Sequence, residues 1–171
     1  MTAALVTPSA AYRSSFLAAA AERLAEGDDP GVSDATFDAQ LAQYVEDAAG
    51  RVAAHRVPQH ELWLVDGELF IGRVGVRHRL NERLTREGGH IGYTIRPSQR
   101  RRGYGTLILQ LALPVAYGLG IDPALVTCDT TNIGSRTIIE RAGGVLAEQL
   151  EPGKLRFFLR TSPERHPDRV R

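Results

Sequence analysis

Apolar residues near the N-terminus recur every three to four positions in the segment AAYRSSFLAAAAERLAEG. They fall at Phe16, Leu17, Ala20 and Leu24. This spacing places them along one face of a helix, and Gly27 stands where such a helix would end. A short apolar run over residues 3–7 comes first and stops at a proline. The pattern therefore predicts a strand followed by an amphipathic helix.

A second segment with the same periodicity is ATFDAQLAQYVEDAAG, which Ser33 or Asp34 can cap at its N-terminus. Its apolar face comprises Phe37, Leu41, Tyr44, Val45 and Ala48. We expect a second amphipathic helix here.

The periodicity then changes from helical to alternating. In ELWLVDGELFIGRVGVRHRL, apolar and polar residues alternate on both sides of Asp66 and Gly67. Asp-Gly between two alternating runs is a strong signal for a β-hairpin. Residues 61–65 and 69–76 are therefore predicted to form an antiparallel pair.

The second half of the chain mixes both patterns. HIGYTIRP is predicted as a strand that Pro97 closes, followed by a helix that begins at or just after Gly103. ALVTCDT is a further strand, and NIGSRTIIERAGG a helix with Asn132 near its cap. VLAEQL and LRFFLR flank residues 151–154 as a final hairpin.

This order of elements, with helices first, antiparallel strands next and strands alternating with helices after them, indicates an α/β domain of mixed α+β type. The length favours one domain, assigned to residues 1–162, and a disordered tail at 163–171.

The composition agrees with an ordinary globular protein. Hydrophobic residues make up 43% and charged residues 24% of the 171 residues. No apolar run is long enough for a transmembrane helix and no signal peptide is evident, so we expect no membrane partner and a cytoplasmic location. Cys128 is the single cysteine, which excludes an intrachain disulfide and a cysteine-based zinc site. No metal is expected.

The most distinctive local sequence is RRRGYG, residues 100–105. Free amides at a helix N-terminus, glycines and arginines together favour a phosphate site. On its own, however, the hexapeptide favours a plain helix cap bearing solvated arginines. A nucleic-acid patch is the third interpretation, but a formal net charge of +1 disfavours it.

The surrounding motifs decide between these interpretations. Residues 95–97 read IRP, and residues 100–105 supply Arg-x-x-Gly-x-Gly at a fixed distance after them. Residues 132–135 read NIGS, and residues 140–143 read ERAG. In these motifs and in the order of its elements, the chain resembles the GCN5-related N-acetyltransferase (GNAT) superfamily.

The resemblance implies a twisted, mostly antiparallel sheet of about six to seven strands flanked by about four helices. It also implies an acetyl-CoA-dependent N-acetyltransferase that moves the acetyl group from the thioester directly to a primary amine, with a small-molecule acceptor favoured over a protein.

The resemblance further assigns the cofactor contacts. Amides from Arg101 to Thr106 would hold the pyrophosphate, the 93–95 strand edge would pair with pantetheine, and Asn132 would bond the pantetheine arm. The full set is Tyr93, Thr94, Ile95, Arg100, Arg101, Arg102, Gly103, Tyr104, Gly105, Thr106, Asn132 and Ser135.

Catalytic residues are harder to assign. Many relatives use a tyrosine to protonate the leaving thiolate, where this chain has Ile139. Tyr93 could donate that proton or simply pack. For the base that deprotonates the amine, His90 and Asp129 are the candidates; the alternatives are a strand-edge histidine facing solvent and a helix-capping aspartate.

Three further expectations concern neighbouring residues. Glu61 is a further candidate for the base, for which a solvated strand end is the preferred interpretation, and Cys128 is expected to be a buried, inert thiol. Arg79, Asn81, Glu82 and Arg83 border the region in which relatives bind the acceptor.

Two other functions stay open at this point: a coenzyme A-binding module without catalysis, and a nucleic-acid module. The identity of the amine is not encoded in these motifs. The final hairpin is the candidate contact of a homodimer.

Overall fold

The computed structural model describes residues 2–150 and 153–163. Within these residues the chain forms five α-helices. They are α1 (Arg13–Ala25), α2 (Phe37–Ala48), α3 (Glu82–Glu87), α4 (Tyr104–Gly118) and α5 (Ile133–Arg141). None of these helices combines the length and apolar character that a membrane span requires.

The same residues form seven strands in two antiparallel sheets. The strands are β1 (Ala4–Val6), β2 (Gln59–Asp66), β3 (Leu69–Arg77), β4 (Ile91–Ile95), β5 (Ala124–Asp129), β6 (Val145–Leu150) and β7 (Lys154–Leu159). One sheet has the order β1-β2-β3-β4 and the other β5-β7-β6. The predicted fold class is confirmed, with a division of the strands that the sequence did not reveal.

The alternation in β3 separates the two faces of the larger sheet. Val74 and Val76 are fully buried against the core that contains α4. Arg73, Gly75 and Arg77 lie on the opposite face, as period-two alternation requires. This polar region belongs to the face that α1 and α2 cover. The other end of the same face is apolar.

A cluster of aromatic rings forms the apolar end of that face. Trp63 is completely buried, stacks on Phe16 at 4.5 Å and meets Phe70 edge-on at 5.3 Å. Trp63 and Phe70 thus pack between the sheet and the helices that cover it. Two residues assigned to the apolar helix faces, Leu24 and Val45, are instead about 60% exposed, because each lies at the margin of its face.

The two sheets meet at the beginnings of β4 and β5. The His90 amide donates to the Leu125 carbonyl at 2.6 Å, and the Leu125 amide donates to Nδ1 of His90 at 3.0 Å. Beyond this junction, no hydrogen bond between β4 and β5 is present in the described part of the chain. One edge of β4 is therefore open towards β5.

The remaining predictions concern the ends of elements. The polar segment after β3 carries the short helix α3, and Oδ1 of its N-cap residue Asn81 accepts a hydrogen bond from the Leu84 amide. The final hairpin is confirmed by the antiparallel pairing of β6 with β7. Residues 151 and 152 of its turn and nearly all of the predicted tail lie outside the described residues.

Candidate functional site

The turn before α4 presents a row of free amides. Arg101 and Gly103 have positive φ angles of 63° and 84°, which turns successive N–H groups to one side. Among the described residues, the amides from Arg101 to Thr106 make no backbone hydrogen bond, and the first engaged amide is that of Leu107. Because the helix dipole adds positive charge at this end, the turn is suited to an anionic ligand.

The three arginines of this turn differ in how they are held. Arg100 pairs at 2.9 Å with Glu26, which directly follows α1, and also donates to the Ile95 carbonyl. Arg102 donates to the side chain of Gln99. The exposed Arg101 side chain has no hydrogen bond or ion pair within the described residues. Arg101 is therefore the cation most available to a ligand.

Alternation along β4 determines which peptide groups face the open edge. The amide of Arg96 donates to the Ile71 carbonyl of β3. Peptide groups two residues apart face the same way, so those of Thr94 also point to β3, whereas those of Tyr93 and Ile95 point towards β5. Tyr93 therefore offers its amide and carbonyl to the cleft, and Ile95 offers its amide, because Arg100 already occupies the Ile95 carbonyl.

The Tyr93 hydroxyl is buried without a hydrogen-bond partner in the described structure. Burial raises the pKa of Tyr93 to about 12, and the nearby Ser135 side chain opposes this effect only in part. The hydroxyl is therefore protonated at neutral pH and able to donate. A buried polar group left unpaired beside a cleft is a group that a ligand could satisfy.

The start of α5 lies beside this hydroxyl. Asn132 is the N-cap residue, and its Oδ1 accepts a hydrogen bond from the Ser135 amide at 3.0 Å. Asn132 is an exposed residue, and its side-chain nitrogen donates no hydrogen bond within the described residues. Ile139 is completely buried in the core, so its position supplies no hydroxyl to the cleft.

Gly105 joins α4 closely to α5. A Cβ atom at Gly105 would lie 2.6 Å from Cδ1 of Ile138. A larger residue at this position would therefore require the Ile138 side chain to shift.

His90 links the two sheets instead of facing solvent. It is half-buried, and its Nδ1 already accepts the Leu125 amide. Burial, with a smaller effect from Arg77, lowers the pKa of His90. A neutral ring that accepts at Nδ1 carries its proton on Nε2, so no lone pair is left for another proton.

Asp129 and Cys128 end β5. The Asp129 carboxylate pairs with Lys154 at 2.6 Å, and its backbone carbonyl accepts the Asn132 amide. Cys128 is buried, and burial raises the pKa of its thiol. The thiol is thus buried as expected.

A second part of the site lies on the face of the β4 sheet that α2 covers. Here a cavity of about 400 Å³ opens between α2 and the polar end of the sheet. It is lined by Gln40, Tyr44, Arg56, Gln59, Glu61, Arg73, Gly75, Arg77, Gly92, Tyr93 and Thr94. Its size suits a small molecule.

Glu61 lies in this cavity, and the expectation that it is a solvated strand end is wrong. Only 5% of its side chain is exposed, Arg73 lies 3.6 Å away, and Oε1 has no hydrogen-bond partner in the described structure. Burial raises the pKa of Glu61, against the attraction of Arg73 and Arg77. The covering helix α2 explains the burial.

The sequence did contain a signal for this position. Glu61 lies two residues before Trp63, and residues at that spacing share a face of a strand. A glutamate beside a core tryptophan is therefore a candidate for burial.

The loop residues expected to border the acceptor are not part of this lining. Arg79, Asn81, Glu82 and Arg83 do not line the cavity among the described residues. Asn81 instead uses its side chain to cap α3.

Within the described residues, no group of three or more potential metal ligands is present. His60 and His78, which the sequence gave no reason to connect, lie 2.7 Å apart through their ring nitrogens.

The family model described as "Acetyltransferase (GNAT) domain" matches residues 17–145, which is more than half of the chain. No curated protein matches the sequence.

Several solved structures share the fold at low sequence identity. The ribosomal-protein-S5-alanine acetyltransferase from Vibrio fischeri is 13% identical, with a TM-score of 0.68 and 97% of each chain covered. A spermidine N-acetyltransferase chimera from Vibrio cholerae and hSSAT is 16% identical, with a TM-score of 0.65 and coverage of 94% of this chain and 96% of that one.

A further neighbour was solved with a nucleotide-containing ligand. The microcin C7 self-immunity acetyltransferase MccE, in complex with acetyl-CoA and AMP, is 14% identical, with a TM-score of 0.68 and 92% of each chain covered.

Proposed function

Because the chain belongs to the GNAT acetyltransferase family, whose model matches residues 17–145, we propose that it transfers the acetyl group of acetyl-CoA directly to a primary amine. The observation that carries this proposal is the row of free amides from Arg101 to Thr106 beside the open edge of β4. The chain's residues therefore fit the cofactor of the family.

The phosphate end of acetyl-CoA is assigned to the turn before α4. The six free amides would hold the pyrophosphate, and Arg101 would add a charge-assisted bond. Arg100, already paired with Glu26, supports the turn. To reach a phosphate, the Arg100 side chain would have to break its contacts with Glu26 and with the Ile95 carbonyl.

The pantetheine arm is assigned to the open edge of β4. The peptide groups of Tyr93 and Ile95 would pair with it in the manner of an added strand. Asn132 would donate from its side-chain nitrogen, because its oxygen is used by the cap of α5. Ser135 supports this cap through its amide.

Bound acetyl-CoA supplies the thioester carbonyl that the amine attacks, so that a C–N bond forms and the C–S bond breaks. Two proton transfers then remain for the protein. The amine must lose a proton, and the departing sulfur must gain one.

We assign the second transfer to Tyr93. Its hydroxyl is protonated at neutral pH, buried and unpaired beside the cleft. It can therefore take over the function that relatives give to the tyrosine at the position of Ile139.

We assign the first transfer to Glu61. It is paired across the sheet with Gly75, and Gly75 is paired with Gly92 of β4. Neither glycine has a side chain, so we place the amine between the carboxylate and β4, beside the Arg77 guanidinium that lies over Gly92. His90 and Asp129 are less suitable, because Leu125 occupies Nδ1 of the first and Lys154 pairs with the second.

A homodimer through the final hairpin remains part of the proposal. β6 is an edge strand, and Val145 and Phe158, which pair across the hairpin, are 69% and 42% exposed. A second copy could cover this edge. Light scattering should show a dimer that Val145→Lys reduces to a monomer; a monomeric wild-type protein would contradict it.

The function as a whole is tested by two measurements on the same preparation. Calorimetric titration should show acetyl-CoA binding, and thiol release should depend on an added amine. Absence of acetyl-CoA binding would overturn the proposed function.

A further inference from the structure

The charge of the cavity beside Glu61 bears on the nature of the acceptor. The lining has three guanidinium groups, those of Arg56, Arg73 and Arg77, and one carboxylate. Buried Asp47, which lies behind the lining, pairs with Arg56 at 2.6 Å. Arg73 and Arg77 are left to share Glu61, so the cavity has excess positive charge.

Both of these arginines keep donors that protein groups do not use. Nη1 of Arg73 contacts the Tyr44 hydroxyl at 3.2 Å and Glu61 at 3.6 Å. Nη1 of Arg77 donates to two backbone carbonyls in the turn before β4. Within the described residues, the Nη2 atoms of Arg73 and Arg77 donate no hydrogen bond to a neutral protein group.

The floor of the cavity brings a ligand close to these donors. A Cβ atom at Gly92 would lie 3.5 Å from both terminal nitrogens of Arg77, and one at Gly75 would lie 3.3 Å from Oε2 of Glu61. A ligand group above Gly92 therefore meets the guanidinium of Arg77, and one above Gly75 meets the carboxylate of Glu61.

Resting on the proposed function, we propose that the acceptor is a small primary amine that also carries an anionic group, a carboxylate or a phosphate. Arg73 and Arg77 bind the anionic group, and Glu61 faces the amine. The guanidinium groups also favour the neutral form of the bound amine, which is the form that attacks. A polyamine brings additional positive charges for which the cavity offers no partners, and is rejected.

Matched acceptors test this inference. Thiol release from acetyl-CoA is measured with β-alanine and 2-aminoethyl phosphate, with uncharged propylamine, and with cationic spermidine. We expect kcat/KM for at least one anionic amine to exceed that of propylamine about tenfold or more, since one charge-assisted bond is worth about that factor. The faster of the two anionic amines shows whether the cavity prefers a carboxylate or a phosphate.

Two variants locate the preference. Arg77→Gln should reduce the ratio of kcat/KM between the anionic amine and propylamine, and Arg73→Lys, which keeps the charge beside Glu61, should reduce it less. An indirect effect of either substitution on Glu61 changes kcat/KM for both amines alike, so it cancels in the ratio. Arg141→Gln, at an exposed arginine near the end of α5, is the matched control and should leave the ratio unchanged.

The outcomes separate the two proposals. Preference for propylamine or spermidine overturns the inference and leaves acetyl transfer standing. Acetyl-CoA binding without turnover of either anionic amine also overturns it. An anionic preference that Arg77→Gln does not change overturns the assignment to this cavity.

Discussion

The carboxylate of Glu61 lies 3.6 Å from the guanidinium of Arg73 in a buried part of the sheet, yet one of its oxygens has no hydrogen-bond partner among the described residues. Burial of an incompletely paired carboxylate costs free energy, so its retention is more easily explained by function than by stability. The cavity beside it and the row of glycines towards β4 supply that function.

Tyr93→Phe tests the proton donor. The variant should lower kcat by about 10², within the range typical of a lost general acid, and leave acetyl-CoA affinity nearly unchanged. Because the hydroxyl is buried without a partner, its removal should not lower the melting temperature. A variant that loses stability but keeps kcat would show that Tyr93 only packs.

Arg101→Glu tests the phosphate site. Its side chain has no partner in the described structure, and the replacement keeps a non-glycine residue at the same positive φ. We expect acetyl-CoA affinity to fall about tenfold or more, and more steeply at low salt. Arg160→Glu makes the same charge change at an exposed position after β7, outside the turn and the family motifs. Equal effects of the two variants would refute a local contact.

Asn132 has two side-chain functions that substitution can separate. Asn132→Ala removes the cap of α5 and should cost about 1 kcal/mol of stability. Asn132→Asp keeps the capping oxygen but loses the side-chain nitrogen, so stability should be largely retained. Calorimetry should show weaker acetyl-CoA binding in both. Wild-type affinity in Asn132→Asp would mean that the residue only caps its helix.

Much of the fold could be predicted from the sequence because its signals are local. Helical spacing placed α1 and α2, and Asp66 with Gly67 placed the β2–β3 hairpin. The exposure of Leu24 and Val45 could not be predicted, since the width of a buried helix face depends on what covers it.

The sequence predicted only the part of the site that is formed by residues close together in the chain. The turn before α4 lies within one short segment, and its free amides follow from its position before a helix. The pairing of Arg100 with Glu26 joins residues 74 positions apart, and the burial of Glu61 depends on α2 lying over β2. Neither relationship has a local signature.

The central claim is that Glu61 accepts the proton of the amine, and the pH dependence of kcat/KM in Glu61→Gln tests it most directly. In the wild type, activity should fall as the pH falls through a pKa above the ordinary glutamate value, because the protonated carboxyl cannot accept a proton. Glu61→Gln should lose about 10²–10⁴ in kcat/KM and that acidic limb of the profile, with acetyl-CoA affinity unchanged. A folded Glu61→Gln variant with wild-type kcat/KM and the same pH profile would contradict the account.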